Sequence, residues 1–345
     1  MSHRSSRRRR VAGAFALILL AAGLGLLFWP QLLGLQRQAI IAQVLALRGV
    51  ALAAGAAAAV LLLLLVLLSR RARRAAVPVL VVVLLFTGAE TAVLAGRGLG
   101  DPSPTATRTD GSTGLTVLSW NTGGDQPGAE RIAALALAQG ADVVALPETS
   151  EATAARVAVL MRAGGRPMWV HNRYFDAVLK ARTTSLLLSV DLGRYALDLG
   201  AGSTRRIPSG VFRPVDGSGP VFVAAHPVAP VPGEMSAWRD GVRWVADQCT
   251  GSNVIVAGDL NSTLDHWDGL GRGGGQLGTC RDGAGARGAA AEGTWPADLP
   301  AQVGAPIDHV LATPDWVFTG FRVIGTADGA GSDHRPIVAT LRRSG

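Results

Sequence analysis

The sequence predicts an α/β domain carried behind three membrane-spanning helices. Three observations predict it. Nearly half of the 345 residues, 48%, are apolar, and charged residues are only 17%. The apolar residues of the first hundred positions fall in long uninterrupted runs. Beyond residue 114, short β-rich runs alternate with segments of helical composition. Such a composition excludes a disordered chain, which is poor in apolar residues. The length suggests about two units rather than one small soluble domain.

Charge is divided between the two parts. Residues 1–100 hold 12 arginines and one acid, Glu90, a balance of +11. Residues 101–345 hold 21 basic and 24 acidic residues, a balance of −3. The basic character of the whole chain, +8, therefore belongs to its N-terminal part. A nucleic-acid partner is expected of a basic domain, and the C-terminal part is not one. Lys180 is the only lysine.

Three runs reach the length of about 20 apolar residues that crosses a bilayer. Val11–Trp29 is 19 residues without a charge, and Gly49–Leu68 is 20 more. Ala75–Gly96 is the third, interrupted by Pro78 and Glu90. A buried soluble helix would retain a polar face, which a run such as Leu61–Leu65 lacks. Arg7–Arg10 precede the first run, and Arg70, Arg71, Arg73 and Arg74 separate the second from the third. The intervening loop carries only Arg37 and Arg48. Dense arginine clusters stay cytoplasmic, so the expected topology is multi-pass with the C-terminal domain outside the cell. A signal peptide is the alternative reading of the first run, although no small-x-small cleavage site follows it. Its removal would leave the C-terminal domain outside all the same. Glu90 sits near the outer end of its span, where it is expected to reach the interface, with Arg48 as a partner.

Residues 1–96 are thus read as a membrane anchor and 97–114 as a linker rich in Gly, Ser, Thr, Pro and Asp. A flexible linker of that length spans roughly 20–25 Å. Cys249 and Cys280 both lie in the outer part, where an oxidising location favours a disulfide. It would close a loop worth about 3–4 kcal/mol. Two buried thiols are the alternative.

Within 115–345, strands are expected at Leu115–Trp120, Ala141–Leu146, Ser185–Val190, Val221–Ala225, Val254–Ala257, Ile307–Ala312 and Pro336–Leu341. Helices are expected at Glu130–Gln139 and Met235–Gln248, and the Gly-rich stretch Gly271–Gly293 reads as a surface loop. Polar residues recur where strands end or begin: Asn121, Glu148, His226, Asp259, Asn261, Asp308, Asp333 and His334. Taken singly, Asp or Asn after a strand is turn chemistry, and a lone His is commonly structural. Together they would line one rim of a sheet, where binding residues collect.

The segments Ser-Trp-Asn, Pro-Glu, His226, Gly-Asp-Leu-Asn, Ile-Asp-His and Gly-Ser-Asp-His, in that order, resemble the motif series of the endonuclease/exonuclease/phosphatase superfamily. Gly-Asp-Leu-Asn and Ser-Asp-His are the specific pieces. One departure is Pro147, where the family usually has Gln before the Glu. The resemblance implies a four-layer α/β/β/α sandwich, with two packed sheets flanked by helices.

The chemistry can be read residue by residue. Phosphate-ester hydrolysis needs a cation, an oriented water and a proton for the leaving group. Glu148 is the best metal ligand, with Asn121 and Asp333 as further candidates. One or two carboxylates suit Mg²⁺, with Mn²⁺ as the alternative. Asn121 also suits orienting Glu148 or touching phosphate. Asp259 has the carboxylate to orient or deprotonate water, and Asn261 can donate to a phosphate oxygen. By resemblance, His334 contacts the scissile phosphate, Asp308 fixes its tautomer, and His226 matches the second catalytic His, suited to protonating the leaving group. His309 has no role in the family pattern and reads as structural.

Three functions compete. The leading one is an extracytoplasmic Mg²⁺-dependent phosphohydrolase acting on a lipid-linked phosphate or pyrophosphate. The layout of three spans and an outer domain also resembles VanJ-type membrane proteins of actinomycetes linked to teicoplanin resistance, which implies a polyprenyl-phosphate substrate. His226–Pro230 and Gly293–Pro296 are candidate substrate loops, and Trp295 is either a lipid or sugar contact or a packed loop residue. The second is a membrane-tethered nuclease, which would want a basic stripe; Arg205–Arg206 is only a pair. The third is a pseudoenzyme, against which the complete set of polar residues argues.

Overall fold

The computed structural model describes residues 2–100, 114–175 and 179–345, with only the backbone for 2–7, 9 and 10. Most of the expected linker, 101–113, lies outside the described residues. The chain divides into two units, Met1–Gly96 and Arg97–Gly345.

The first unit contains α1 (Ser2–Phe28), α2 (Ile41–Ala46), α3 (Arg48–Leu68) and α4 (Arg73–Arg97). Three of these, α1, α3 and α4, are long and apolar enough to cross a membrane. Their leucines face outward, Leu61, Leu68 and Leu85 among them, as suits a hydrocarbon solvent. Glu90 departs from expectation. It does not reach outward but is buried, and Arg48 Nη1 donates to both its oxygens at 3.0 and 2.8 Å. Arg48 Nη2 also donates to Phe28 O at 3.0 Å. Charges at membrane depth persist when they satisfy one another in this way.

The second unit begins with β1 (Gly114–Ser119), α5 (Gly128–Ala138), β2 (Val143–Pro147), α6 (Glu151–Ala163), β3 (Met168–Tyr174) and β4 (Thr183–Ser189). It continues with β5 (Tyr195–Leu197), β6 (Gly210–Pro214), β7 (Val221–Ala225), α7 (Met235–Gln248) and β8 (Val254–Asp259). The chain ends with β9 (Arg281–Asp282), α8 (Gly283–Ala286), β10 (Asp308–Ala312), β11 (Trp316–Val323) and β12 (Ile337–Arg343).

Two six-stranded mixed sheets result, ordered β11-β12-β1-β2-β4-β3 and β5-β6-β7-β8-β10-β9. They pack face to face through alternate side chains, since successive residues of a strand point to opposite faces. Val117, Val143, Ala145, Leu186, Phe222, Ile255 and Ala257 fill the layer between sheets. The residues between them, Leu118, Val144, Leu146 and Leu187, face outward onto Ile132 and Ala136 of α5 and Val157 and Met161 of α6. Central strands are thus apolar on both faces, which explains their unbroken Val/Leu/Ile runs. On the other side, α7 buries Trp238, Val242, Val245 and Ala246. The expected four-layer sandwich is the fold observed.

Each sheet has one parallel pair at its heart, β1 with β2 and β7 with β8. Each pair is joined through a helix, α5 or α7. Parallel strands send their C-terminal ends to one rim, where ligands of α/β folds bind. Antiparallel β10 places Asp308 opposite Asp259, and antiparallel β12 places Ile337 opposite Ser119. Both bring strand beginnings to that same rim.

Gly271–Gly293 is only in part the expected surface loop: residues 271–274 and 285–288 are exposed, and much of the rest is buried. Leu277, Cys280, Asp282, Ala284 and Ala289–Ala291 are buried. Cys249 and Cys280 form a disulfide, Cα–Cα 5.5 Å, and Thr279 bonds Cys249 O through both backbone and hydroxyl. A Cβ at Gly278 would collide with Ala246 O. The glycines here permit close backbone approach.

Candidate active site

Asn121, Glu148, His226, Asp259, Asn261, Asp308 and His334 meet where the two sheets share this rim. Two strand ends turn through left-handed backbone, Glu148 at φ 55° and Asn261 at φ 46°. Non-glycine residues adopt that region rarely, and it clusters at functional sites. Between them, Gly258 admits Ala225 O where any Cβ would collide, which lets β7 and β8 run close as they enter the site.

Asn121 Nδ2 bridges the two sheets, donating to Glu148 Oε1 at 3.1 Å and Asp259 Oδ2 at 3.0 Å. Its Oδ1 accepts from Gly123 N at 3.0 Å. Asp259 Oδ1 accepts from Asn261 N at 2.8 Å, and Asn261 Nδ2 reaches Pro227 O at 3.0 Å and Asp259 Oδ2 at 3.3 Å. His226 Nε2 lies 3.8 Å from Glu148 Oε1 and 3.9 Å from Asp259 Oδ2. His334 Nδ1 is 2.8 Å from Asp308 Oδ2, and its Nε2 points at Asp259 Oδ2, 3.7 Å away. Glu148 is the open member, its side chain 23% exposed, while the others of this carboxylate–imidazole cluster are nearly enclosed.

Burial and charge sort these groups. Burial raises Glu148 above the usual carboxylate range, against the opposing bond from Asn121 and charge of His334. Burial, reinforced by the Asp308 charge, pushes Asp259 up to about 7. For His334, burial alone would lower the pKa, but the carboxylates of Asp308 and Asp259 outweigh it and hold it up to about 10. His226 is driven down to about 3 by burial and then by the positive charge of His334. One imidazole is therefore cationic and the other neutral at pH 7. Enclosure disfavours the charged form of His226.

Asp333 sits at the edge of the cluster. Its carboxylate accepts from Trp295 Nε1 at 2.9 Å, and its charge acts on both Glu148 and His334. His309 is structural, as expected: Nδ1 meets Asp282 Oδ1 and Nε2 meets Ser262 O, both at 2.9 Å. Both partners accept, so both ring nitrogens donate and the ring is an imidazolium. The charge of Asp282 and these bonds raise its pKa against the opposing effect of burial.

Several supporting residues were not singled out from sequence. Ser332 Oγ donates to Asn121 O at 2.6 Å and accepts from His334 N at 3.0 Å. Trp120 Nε1 donates to His334 O at 2.9 Å. Thr294 Oγ1 accepts from the backbone of Ile307 and Asp308. Ser209 Oγ accepts from His226 N at 2.8 Å. Ser332 and Trp120 lie inside the quoted motifs and Thr294 inside the Gly293–Pro296 segment, whereas Ser209 carries no local signal.

The donor set fits a divalent cation. Asp308 Oδ1 is buried without a hydrogen-bond partner among the described residues. Asp259, Asp308 and His334 offer ligand atoms within 4.8 Å of one another. The bond between His334 and Asp308 already occupies one nitrogen of that set, so the open carboxylate Glu148 is the better anchor for an ion that must also meet substrate.

Residues 118–334 match the model of the Endonuclease/Exonuclease/phosphatase family, and the chain belongs to that family. Its members are phosphoesterase and nuclease hydrolases, generally dependent on divalent metals. Among solved structures, humanized D. rerio TDP2 is 18% identical, with a TM-score of 0.50 over 67% of this chain and 100% of that one. The endonuclease/exonuclease/phosphatase of Beutenbergia cavernae is 20% identical, TM-score 0.47, over 67% and 72%. D. rerio TDP2 complexed with single strand DNA product is 16% identical, TM-score 0.49, over 67% and 99%. At such identities the likeness shows the fold alone. No curated protein matches the chain.

Proposed function

We propose that this chain is a membrane-anchored phosphohydrolase whose catalytic domain lies outside the cell and acts on a lipid-linked phosphate or pyrophosphate. The observation that carries it is one chain joining three apolar spans to this phosphoesterase site. The Cys249–Cys280 disulfide supports an oxidising location.

Glu148, with Asn121 orienting it and Asp333 nearby, would hold Mg²⁺ or Mn²⁺. Bound there, the ion supplies charge neutralisation at phosphate oxygens. The remaining work falls to the protein. Asp259, poised near neutrality, orients the attacking water and takes its proton. His334, held protonated by Asp308, contacts the scissile phosphate and is the group that carries a proton for the leaving oxygen. Asn261 and neutral His226 donate to phosphate oxygens.

The nuclease alternative is weakened by the domain surface. Arg205 pairs with Asp240, Arg206 with Glu234, Arg213 with Asp198 and Arg272 with Asp247. Exposed arginines so paired offer little to a phosphate backbone. The topology is tested by reporter fusions after residue 345, which should be active only outside the membrane. A cytoplasmic reporter would overturn that part of the reading.

A further inference from the structure

Arg335 follows His334 directly and is buried. Its guanidinium is fully committed. Nε and Nη2 hold Asp328 at 2.8 Å each. Nη2 also donates to Ala297 O at 2.9 Å and Leu299 O at 2.7 Å, and Nη1 to Gly293 O at 3.3 Å. Arg335 N bonds Thr294 O at 2.8 Å. One side chain thus gathers the whole 293–299 loop against the segment bearing His334. The loop in turn grips Asp333 twice, through Trp295 Nε1 and through Ala297 N to Asp333 O at 2.7 Å.

What the loop presents is unusual for a turn. Trp295 and Pro296 are half-buried, Pro300 is exposed and Leu299 is 40% exposed. A solvated loop is normally polar; here Asp298 is the only exposed charge of 295–300, and apolar surface beside a polar site marks binding. We propose that Arg335 is a positioning residue for substrate selection. It holds Trp295, Pro296 and Leu299 as an apolar ledge beside His334 and Asp333, and this ledge receives the first hydrocarbon carbons of the phosphate substrate. The inference rests on the phosphohydrolase reading and deepens it. Lysine cannot replace Arg335, because a single ammonium cannot span Asp328 and three carbonyls.

The test uses the full chain in nanodiscs of zwitterionic lipid with Mg²⁺. Binding of hexyl phosphate and of inorganic phosphate is measured by calorimetry. The wild-type chain should bind hexyl phosphate about tenfold more tightly, as burial of a few methylenes implies. In Leu299→Ser and Arg335→Lys, that preference should shrink to about twofold or less while inorganic phosphate affinity stays unchanged. The surface variant Leu299→Ser keeps the test informative if Arg335→Lys does not fold. No preference in the wild type overturns the proposal, as does parallel loss of both affinities in the variants. A wild-type chain that binds neither ligand overturns the phosphohydrolase reading, and this inference falls with it.

Discussion

His334 Nδ1 stands 2.8 Å from Asp308 Oδ2, and the other oxygen of that carboxylate is enclosed without a hydrogen-bond partner among the described residues. The pair spans adjoining parts of both sheets: Asp308 opens β10, and His334 precedes β12. It fixes which ring nitrogen faces the site and keeps the imidazole cationic. Asp308→Asn should retain the fold but lose that charge. Phosphate release, followed continuously, should fall by about 10²–10⁴-fold, the range of a lost acid–base group. His334→Ala should lie in the same range, and the double variant should be no worse than His334→Ala.

Glu148 and Asn121 differ in kind. Removing Asn121 frees Glu148 and Asp259 from their shared donor without removing a carboxylate. Asn121→Ala should raise the Mg²⁺ concentration needed for half-maximal activity by about 10–100-fold, as loss of a ligand-orienting residue does. Glu148→Ala should not be rescued by Mg²⁺ at any attainable concentration. Equal, metal-independent losses in both variants would place the ion elsewhere.

The buried His309–Asp282 pair makes a pH prediction. The folded pKa of His309 is raised above its ordinary value near 6.5. Its contribution to stability is fully present below about pH 6.5 and is lost as pH rises through the folded value. Thermal unfolding of the full chain in detergent should show that loss, and a His309→Gln variant should show a flatter profile. His309→Ala leaves Asp282 enclosed without its cation and should cost about 3–5 kcal/mol.

Opening the Cys249–Cys280 link removes a constraint across 31 residues. Cys249→Ser with Cys280→Ser should lower stability to denaturant by about 3–4 kcal/mol. The effect should centre on Gly271–Gly293, read out as faster amide exchange at Leu277 and Ala284.

The site was legible because its residues end or begin strands whose apolar runs are unambiguous. Val221–Ala225 before His226 and Val254–Gly258 before Asp259 needed no tertiary information. Less was legible where the signal is non-local. The edge strand Met168–Tyr174 is rich in polar residues and shows no core pattern. Gly271–Gly293 reads as a loop because its packing depends on a distant cysteine and on Asp282 meeting His309. The protonation of the two histidines was not legible either, since it follows from the close 2.8 Å pairing of His334 with Asp308 and from the burial of His226. For Glu90 the Arg48 partner was legible, but its burial was not.

Hydrolysis of a lipid-linked phosphate at a membrane surface is the activity proposed for this site. The most direct measurement incubates the full chain in nanodiscs with Mg²⁺ and a polyprenyl pyrophosphate, with plasmid DNA in a parallel reaction. Phosphate release should occur, should be lost in Glu148→Ala and should fall by about 10²–10⁴-fold in His334→Ala, with the plasmid left intact. Nicking of the plasmid without phosphate release would contradict it and make the protein a tethered nuclease.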